Sequence, residues 1–373
     1  MIKVLILQRA IPNYRLPLFQ ALCALKDFEI TIGCAEHDEA TSTGIAADNY
    51  TGVRLKPVKI YRPGGKFLFQ SIVGLKEYDV IITDISINVL SVPVYLLLSR
   101  LKGIKIIGWG KGVPQLINAK EKWVIRTYKK FIAGSCNALI LYGHISKKYF
   151  EGLGLKHKPM FIAQNSVHTE KFFNAFNEDE AAANQLRIEL NLSGRFVFGY
   201  FGKLTGRKAV NSIIEAFRLV KAAQPNAFLL IAGGGPEKKR LEELSSDLVA
   251  AGDVHFMGKV ANGKEGAVLH LIDAYLSFSQ GGLGILEAMA CSRTIISTPE
   301  VFPETELLQG DYNCFLSTDF SVASFSQAML KAATNQQHAR EMGSNAMSTV
   351  KEKAGTSVMV KAFTDAINYT LSK

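Results

Sequence analysis

FVFGYFGKLTGRKAVNSIIEAFRLVKAA, residues 196–223, passes from a short apolar run through a cation-rich turn into a helix with its apolar residues on one face. FLLIAGGGPEKKRLEEL, residues 228–244, repeats the plan with three glycines at the turn, and the helix it opens is expected to run on through SSDLVAAG. Two further strands, VHFMG and DAYLSFS, lead to QGGLG, a helix around Ile285–Cys291 and the strand TIIST. Strands that are apolar almost throughout and alternate with helices belong to a parallel sheet covered on both faces. The same alternation runs upstream through Val4–Leu7, Ile30–Ile32, Val80–Thr83, Ile104–Ile107 and Ala138–Leu141, with a helix over Leu16–Leu25. The chain of 373 residues suits two domains of roughly 150–200 residues each. The fold class is α/β, with two Rossmann-like doubly wound domains facing an interdomain cleft. The expected divisions are residues 1–170, 171–355 and a final helix over 356–373 that packs back on the first domain. The hinge falls between Asn165 and Phe173. Ligands of open α/β sheets bind beyond the carboxyl ends of the strands.

Three turns in the second half suit a diphosphate. Lys203, Arg207 and Lys208 cluster between a strand end and a helix start, where free N–H groups and the positive helix end favour an anion. A solvated basic turn is the plain alternative. Gly233, Gly234 and Gly235 let backbone approach a ligand closely, although glycine turns after strands are common. Gly281, Gly282 and Gly284 lie before a helix that carries Glu287, a carboxylate able to accept hydrogen bonds from two ribose hydroxyls or simply to complement the helix dipole.

Composition narrows the partners. The net charge of +10 suits a phosphate-bearing ligand or an anionic membrane surface. The five cysteines share no metal-ligand spacing and read as free thiols in a reducing compartment. His144, His168 and His255 have no such spacing either, and no Asp-x-Asp pair stands out, so neither a cofactor nor a metal is expected. MIKVLIL opens directly on a strand pattern, so no secretory leader is expected. The apolar run near Val89–Leu98 is interrupted by Ser91 and Pro93 and is too short to span a bilayer. The expected location is cytoplasmic, peripheral at the inner membrane face.

With the three loops in this order, the C-terminal half resembles glycosyltransferase family 4, the retaining GT-B enzymes, especially those of bacterial surface-polysaccharide assembly. The matching segments are GKLTGRKAV, LLIAGGGPEKKRLE, VHFMGKV and the stretch from DAYLSFSQGGLGILEAMAC to YNCFL. ALILYGHISKKYF and AQNSVHTEKFF match more loosely, and IPNYRLPLFQAL resembles members with a YR-x-P-x-F sequence after the first strand. The resemblance implies a C-terminal donor-binding domain and an N-terminal acceptor-binding domain. It implies transfer from a nucleotide-sugar to a glycan or lipid-linked glycan, as in O-antigen or capsule biosynthesis, and no nucleic-acid partner. It places the diphosphate-holding cations on Lys203 and Lys208 and the ribose-binding carboxylate on Glu287. These are the implied catalytic residues. Gly202, Arg207, Gly234, Gly235, Ser279, Gln280, Gly281, Gly282, Leu283 and Gly284 line the implied donor site. On the acceptor side it points to Asn13, Tyr14, Arg15, Trp109 and Lys111. Ser279 stands where the family has the first Glu of E-x7-E, and Lys203 replaces an Arg, which trades a bidentate fork for a point charge. Trp109-Gly110-Lys111-Gly112 stands where many members carry a His-containing loop, and Trp109 equally suits core packing.

Other readings stay open on sequence alone: a GT-B sugar-nucleotide epimerase, or a catalytically silent nucleotide- or glycan-binding scaffold. The stretch KEKWVIRTYKK, Lys120–Lys130, has five cations with Trp123, Val124 and Tyr128 among them. It suits either an anionic leaflet or a solvated helix face.

Overall fold

The structure, a computed structural model, describes residues 1–35, 50–63, 67–113, 121–166, 172, 174, 180–261, 264–279, 281–299 and 302–373, without the side chains of Asn13 and Glu180. The chain divides into two compact units. Unit 1 is Met1–Ser166 together with Thr356–Lys373, and unit 2 is Val167–Gly355.

Unit 1 contains β1 (Ile2–Leu7), β2 (Phe28–Cys34), β3 (Leu55–Pro57), β4 (Ile60–Tyr61), β5 (Phe69–Gln70), β6 (Val80–Asp84), β7 (Lys105–Gly110), β8 (Ala138–Leu141) and β9 (Met160–Ile162). Seven of them form a parallel sheet in the order β3-β2-β1-β6-β7-β8-β9, while β4 and β5 pair with each other. Residue alternation along β1 shows why both faces are covered. Val4 and Ile6 enter a core completed by Phe19 and Phe363, whereas Leu5 and Leu7 enter the opposite one with Val92 and Tyr95. Phe363 comes from the last helix, Thr356–Leu371, whose Met359, Phe363, Ala366 and Ile367 are spaced three or four apart and all buried. That spacing binds the chain's final helix into the first unit's core.

Unit 2 contains β10 (Phe196–Phe201), β11 (Ala227–Ala232), β12 (Val254–Gly258), β13 (Ala274–Ser277), β14 (Thr294–Ser297) and β15 (Cys314–Leu316). They form a parallel sheet in the order β12-β11-β10-β13-β14-β15. Phe196, Phe198 and Tyr200 of β10 face one core and Val197 the other. Helix Val210–Ala223 covers the first with Val210, Ile213, Ile214, Phe217 and Val220, all buried.

The sheets thus have the doubly wound form read from the alternation, and two local expectations need correction. EKKRLEELSSDLVAAG is not one helix: it breaks into Lys238–Leu244 and Ser246–Ala250 at Ser245. There φ is −114° and ψ 19°, and the Ser245 hydroxyl donates back to the Leu241 carbonyl at 2.8 Å, which competes with helix continuation. In unit 1, β7 runs on to Gly110, past the expected end at Ile107, and so Trp109 sits on a strand and is buried.

Candidate functional site

In each sheet the strand order reverses once, and the loops leaving the two strands on either side diverge to opposite faces, opening a crevice at their carboxyl ends. In unit 2 this switch point lies between β10 and β13. The loop after β10 is Gly202–Lys208, and the loop after β13 leads into Gly281 and Gly282. The structure therefore brings the first and third glycine loops of the sequence together. Lys208 joins them: its Nζ donates to the Gly281 carbonyl at 3.2 Å, and a Cβ placed on Gly282 would stand 3.1 Å from the same nitrogen.

The first loop is held from below. The Tyr200 hydroxyl donates to the Lys203 carbonyl at 3.0 Å, and the Tyr275 hydroxyl donates to the Phe201 carbonyl at 2.9 Å. Burial pushes both phenols above their ordinary pKa, most strongly Tyr275, which also lies near Tyr200 and Glu287. They act as neutral hydrogen-bond donors. Neither was marked by sequence reasoning, because a tyrosine in an apolar strand reads as core.

Beyond these anchors Lys203 and Arg207 are exposed, and neither side chain has a hydrogen-bond or ion-pair partner among the described residues. Lys208 closes a short 3-10 turn, Gly206–Lys208. Ala209 follows in the left-handed region at φ 47° and ψ 42°, which costs an L-residue about 1–2 kcal/mol. Such strain is held only where surrounding structure imposes it.

The second loop packs closely against the first. A Cβ on Gly233 would meet the Gly202 carbonyl oxygen at 1.8 Å, and one on Gly235 would meet that of Leu204 at 2.2 Å. Leu204 N–H donates to the Gly234 carbonyl at 2.9 Å. Gly233 and Gly235 let the β11 turn pack against the β10 turn, and a Cβ placed on the half-buried Gly234 would stand 3.9 Å from the Lys259 Cβ.

The third loop starts at Ser279, half-buried, whose carbonyl accepts from the Ser277 hydroxyl at 3.4 Å. Gln280 lies outside the described residues. Helix Leu283–Ala290 follows, with Gly282 as its N-cap. Gly284 lets its first turn press on β13, since a Cβ there would stand 2.4 Å from the Tyr275 hydroxyl. Glu287 is half-buried on this helix, beside Tyr275 and Cys291. If it holds a ribose, Glu287→Ala raises the nucleotide's Kd, and 2′- or 3′-deoxyribose analogues lose little further affinity in the variant. A double-mutant cycle measures this coupling, and strictly additive losses would exclude the contact.

Unit 1 has its own switch point, between β1 and β6. Asn13, Tyr14 and Arg15 form a 3-10 turn after β1. The Arg15 guanidinium donates to Gln8 Oε1 at 2.8 Å and to the Tyr142 hydroxyl, and lies 4.5 Å from the centroid of the Trp109 ring. Burial opposes the Arg15 charge, but Tyr142, Tyr14 and Asp84 outweigh it and raise its pKa. The Tyr142 phenol is pushed up to about 12 by burial. Trp109 is a core residue, 2% exposed, with edge contacts to Phe19, Tyr142 and Phe363. Lys111 follows β7, half-buried.

The basic helix of unit 1, Trp123–Ser135, differs from the expectation at two positions. Lys129 does not face outward: its Nζ pairs with Glu121 at 2.7 Å and donates to the Gly112 carbonyl at 2.6 Å. Tyr128 packs on the core. Lys120 lies outside the described residues. No helix among the described residues is long and apolar enough to cross a membrane.

Comparison with known proteins agrees with this architecture. The protein-family model described as Glycosyl transferases group 1 matches residues 183–349. An uncharacterized glycosyltransferase of Methanocaldococcus jannaschii is 27% identical over 243 residues, 64% of this chain and 60% of that protein. The Mycobacterium tuberculosis GDP-mannose-dependent alpha-(1-6)-phosphatidylinositol monomannoside mannosyltransferase is 30% identical over 132 residues, 33% of this chain and 34% of that protein. The matches thus span 60% or less of these curated relatives. Among solved structures, Anabaena HepE in complex with UDP superposes with a TM-score of 0.75 at 16% identity, covering 99% of this chain and 100% of that one. A glycosyltransferase from Rickettsia africae gives 0.77 at 12% identity, covering 99% and 98%. The chain therefore has the GT-B fold, and its residues 183–349 match the glycosyl transferases group 1 family model.

Proposed function

We propose that this chain is a retaining, nucleotide-sugar-dependent glycosyltransferase of family 4. In this reading unit 2 binds the donor, and unit 1 takes a glycan or lipid-linked glycan in surface-polysaccharide assembly such as O-antigen or capsule. The observation that carries the reading is the contact of Lys208 with Gly281 across the β10/β13 switch point, which sets a cation between two glycine loops where a nucleotide diphosphate binds in open α/β sheets. The group 1 match covers the same loops, and HepE has been solved with UDP-glucose.

In the proposed reaction the bond from the donor's anomeric carbon to the diphosphate breaks. The acceptor oxygen bonds to that carbon on the same face, and its proton passes to the departing diphosphate. The protein then needs placement and charge stabilisation rather than a nucleophile. Lys203, Arg207 and Lys208 supply that charge. Transfer is expected to survive EDTA, and loss in chelator with recovery on added Mg²⁺ or Mn²⁺ would show that a metal does this instead.

The test of the reading is a melting-temperature screen with UDP-, GDP- and dTDP-sugars, followed by assay of hydrolysis and transfer with any donor that stabilises the protein. A donor that binds and is turned over supports the enzyme. Binding without turnover supports a silent scaffold, and no binding removes the donor site altogether.

Contact with an anionic leaflet at the cytoplasmic face of the inner membrane belongs to the same proposal. Trp123, Val124 and Phe131 are exposed on one helix among Lys122, Arg126 and Lys130. Leu97 and Leu101 are exposed on the helix Val92–Lys102 that packs beside it. Each cation near such a surface contributes about 1 kcal/mol. Binding to anionic vesicles is expected to weaken with salt, and to weaken about a hundredfold or more in Lys122→Glu/Lys130→Glu, which reverses two charges. Equal sedimentation with neutral and anionic vesicles would refute the electrostatic part.

A further inference from the structure

The carboxyl rim of the unit 1 sheet is built around one cation. Arg15 lies at its switch point, the N-cap of helix Leu16–Cys23, where the dipole favours an anion rather than a guanidinium. Among the described residues its guanidinium hydrogen-bonds to neutral acceptors, Gln8 and Tyr142. Its Nε is buried and has no hydrogen-bond partner among the described residues. The rings of Tyr14, Trp109 and Tyr142 stand around it at 5.5, 4.5 and 5.5 Å. Asp84, the last residue of β6, favours the charge through space, but its Oδ1 accepts from the Ser86 N–H at 2.7 Å and the Ser86 hydroxyl at 2.6 Å. No ion pair joins Asp84 to Arg15 among the described residues.

Tyr142, Tyr14 and Asp84 keep the half-buried guanidinium charged, yet its side-chain hydrogen bonds go to neutral groups and no ion pair among the described residues neutralises it, so an arriving oxyanion meets a full positive charge. Gln8 and Tyr142 also hold the planar fork in place, so its orientation is fixed before a ligand arrives. We propose that the acceptor carries an oxyanion, a carboxylate or a phosphate, and that Arg15 binds it at the β1/β6 switch point of unit 1. The proposal rests on the reading that unit 1 takes the acceptor. It assigns that acceptor a chemical class: an acidic sugar, or a saccharide joined to a phosphate. Trp109 is the floor of the site and Tyr142 a positioning residue.

The floor also supplies the probe. Trp109 is one of two tryptophans, and the other, Trp123, is exposed on a separate helix. In the full-length Trp123→Phe protein, fluorescence reports on Trp109 alone. Inorganic phosphate, methyl α-glucuronide and the neutral methyl α-glucoside are titrated separately at constant ionic strength. The expected result is a saturable change with phosphate, with the glucuronide or with both, and none with the glucoside. A response to phosphate alone identifies a phosphate-linked acceptor, and to the glucuronide alone an acidic sugar. Arg15→Gln is expected to weaken the response about ten- to a hundredfold. Arg15→Lys, which keeps the charge but loses the fork, should fall between. An equal response to glucoside and glucuronide with none to phosphate, no response to any probe, or an unchanged response in Arg15→Gln would each overturn the proposal. If Arg15→Gln does not fold, Arg15→Lys and the neutral probe decide. The donor screen on the same protein separates the two claims: failure of every nucleotide-sugar to bind defeats the glycosyltransferase reading, whereas donor binding without an anion response defeats only this one.

Discussion

Alanine in place of Lys208 is expected to lower kcat/KM for donor turnover about ten- to a hundredfold while leaving Tm nearly unchanged. Among the described residues the lysine is the cation of its loop that reaches the loop after β13, through the Gly281 carbonyl at 3.2 Å. A charge-assisted hydrogen bond to a leaving diphosphate contributes about 1.5–3 kcal/mol, more when it strengthens as charge develops on the leaving oxygen. Its bond to a neutral carbonyl contributes about 1 kcal/mol to the unliganded protein. Kinetics and melting should therefore separate. Lys203→Ala removes an exposed cation that has no partner among the described residues, and should leave Tm untouched while lowering turnover less. If Lys208→Ala lowers Tm and leaves kcat/KM intact, the lysine only ties two loops together and the diphosphate lies elsewhere.

Phe363→Ala is expected to destabilise unit 1 by about 3–5 kcal/mol, the range for deleting a buried aromatic ring. Phe363 is fully buried, its ring edge-on to Trp109 at 4.9 Å, and Trp109 in turn meets Phe19 and Tyr142 edge-on. The cavity would open beside the Trp109 indole, in a close-packed core whose neighbours relax only partly. Because the chain has two units, a single two-state midpoint is not assumed. Urea unfolding followed by Trp109 fluorescence in the Trp123→Phe background reads unit 1 alone. Phe363→Leu should recover most of the loss, since it refills much of the volume. A midpoint unchanged in Phe363→Ala would mean that the final helix contributes little to the core of unit 1.

Much of this molecule was legible before any coordinates. Strands buried on both faces have nothing polar to interrupt them, and a helix against a sheet must repeat its apolar residues every three to four positions. Both patterns are local, and both appear plainly in FVFGYFG and AVNSIIEAFRLVKAA. The glycine turns were visible too, but their use was not. Gly233 and Gly235 matched a ligand-approach reading because glycine shows only that something comes close. The neighbouring backbone of Gly202 and Leu204 is what comes close. The break at Ser245 was missed because serine is tolerated in helices, and only its bond to Leu241 shows the competition.

What the sequence determined by itself is the alternation, the two doubly wound sheets and the cation-bearing and glycine turns, since each follows from residues within about one element of one another. The tertiary structure decided which turns meet. Strand order is set by pairings between distant segments and cannot be read from any one of them. It places Lys208 against Gly281, 73 residues away, and Arg15 against Tyr142, 127 residues away. It also turned Lys129 inward, because Glu121 and the Gly112 carbonyl together offset its desolvation, an arrangement that helical periodicity does not encode. A site at a switch point exists only once the order of strands reverses there, and that reversal is a property of the whole sheet.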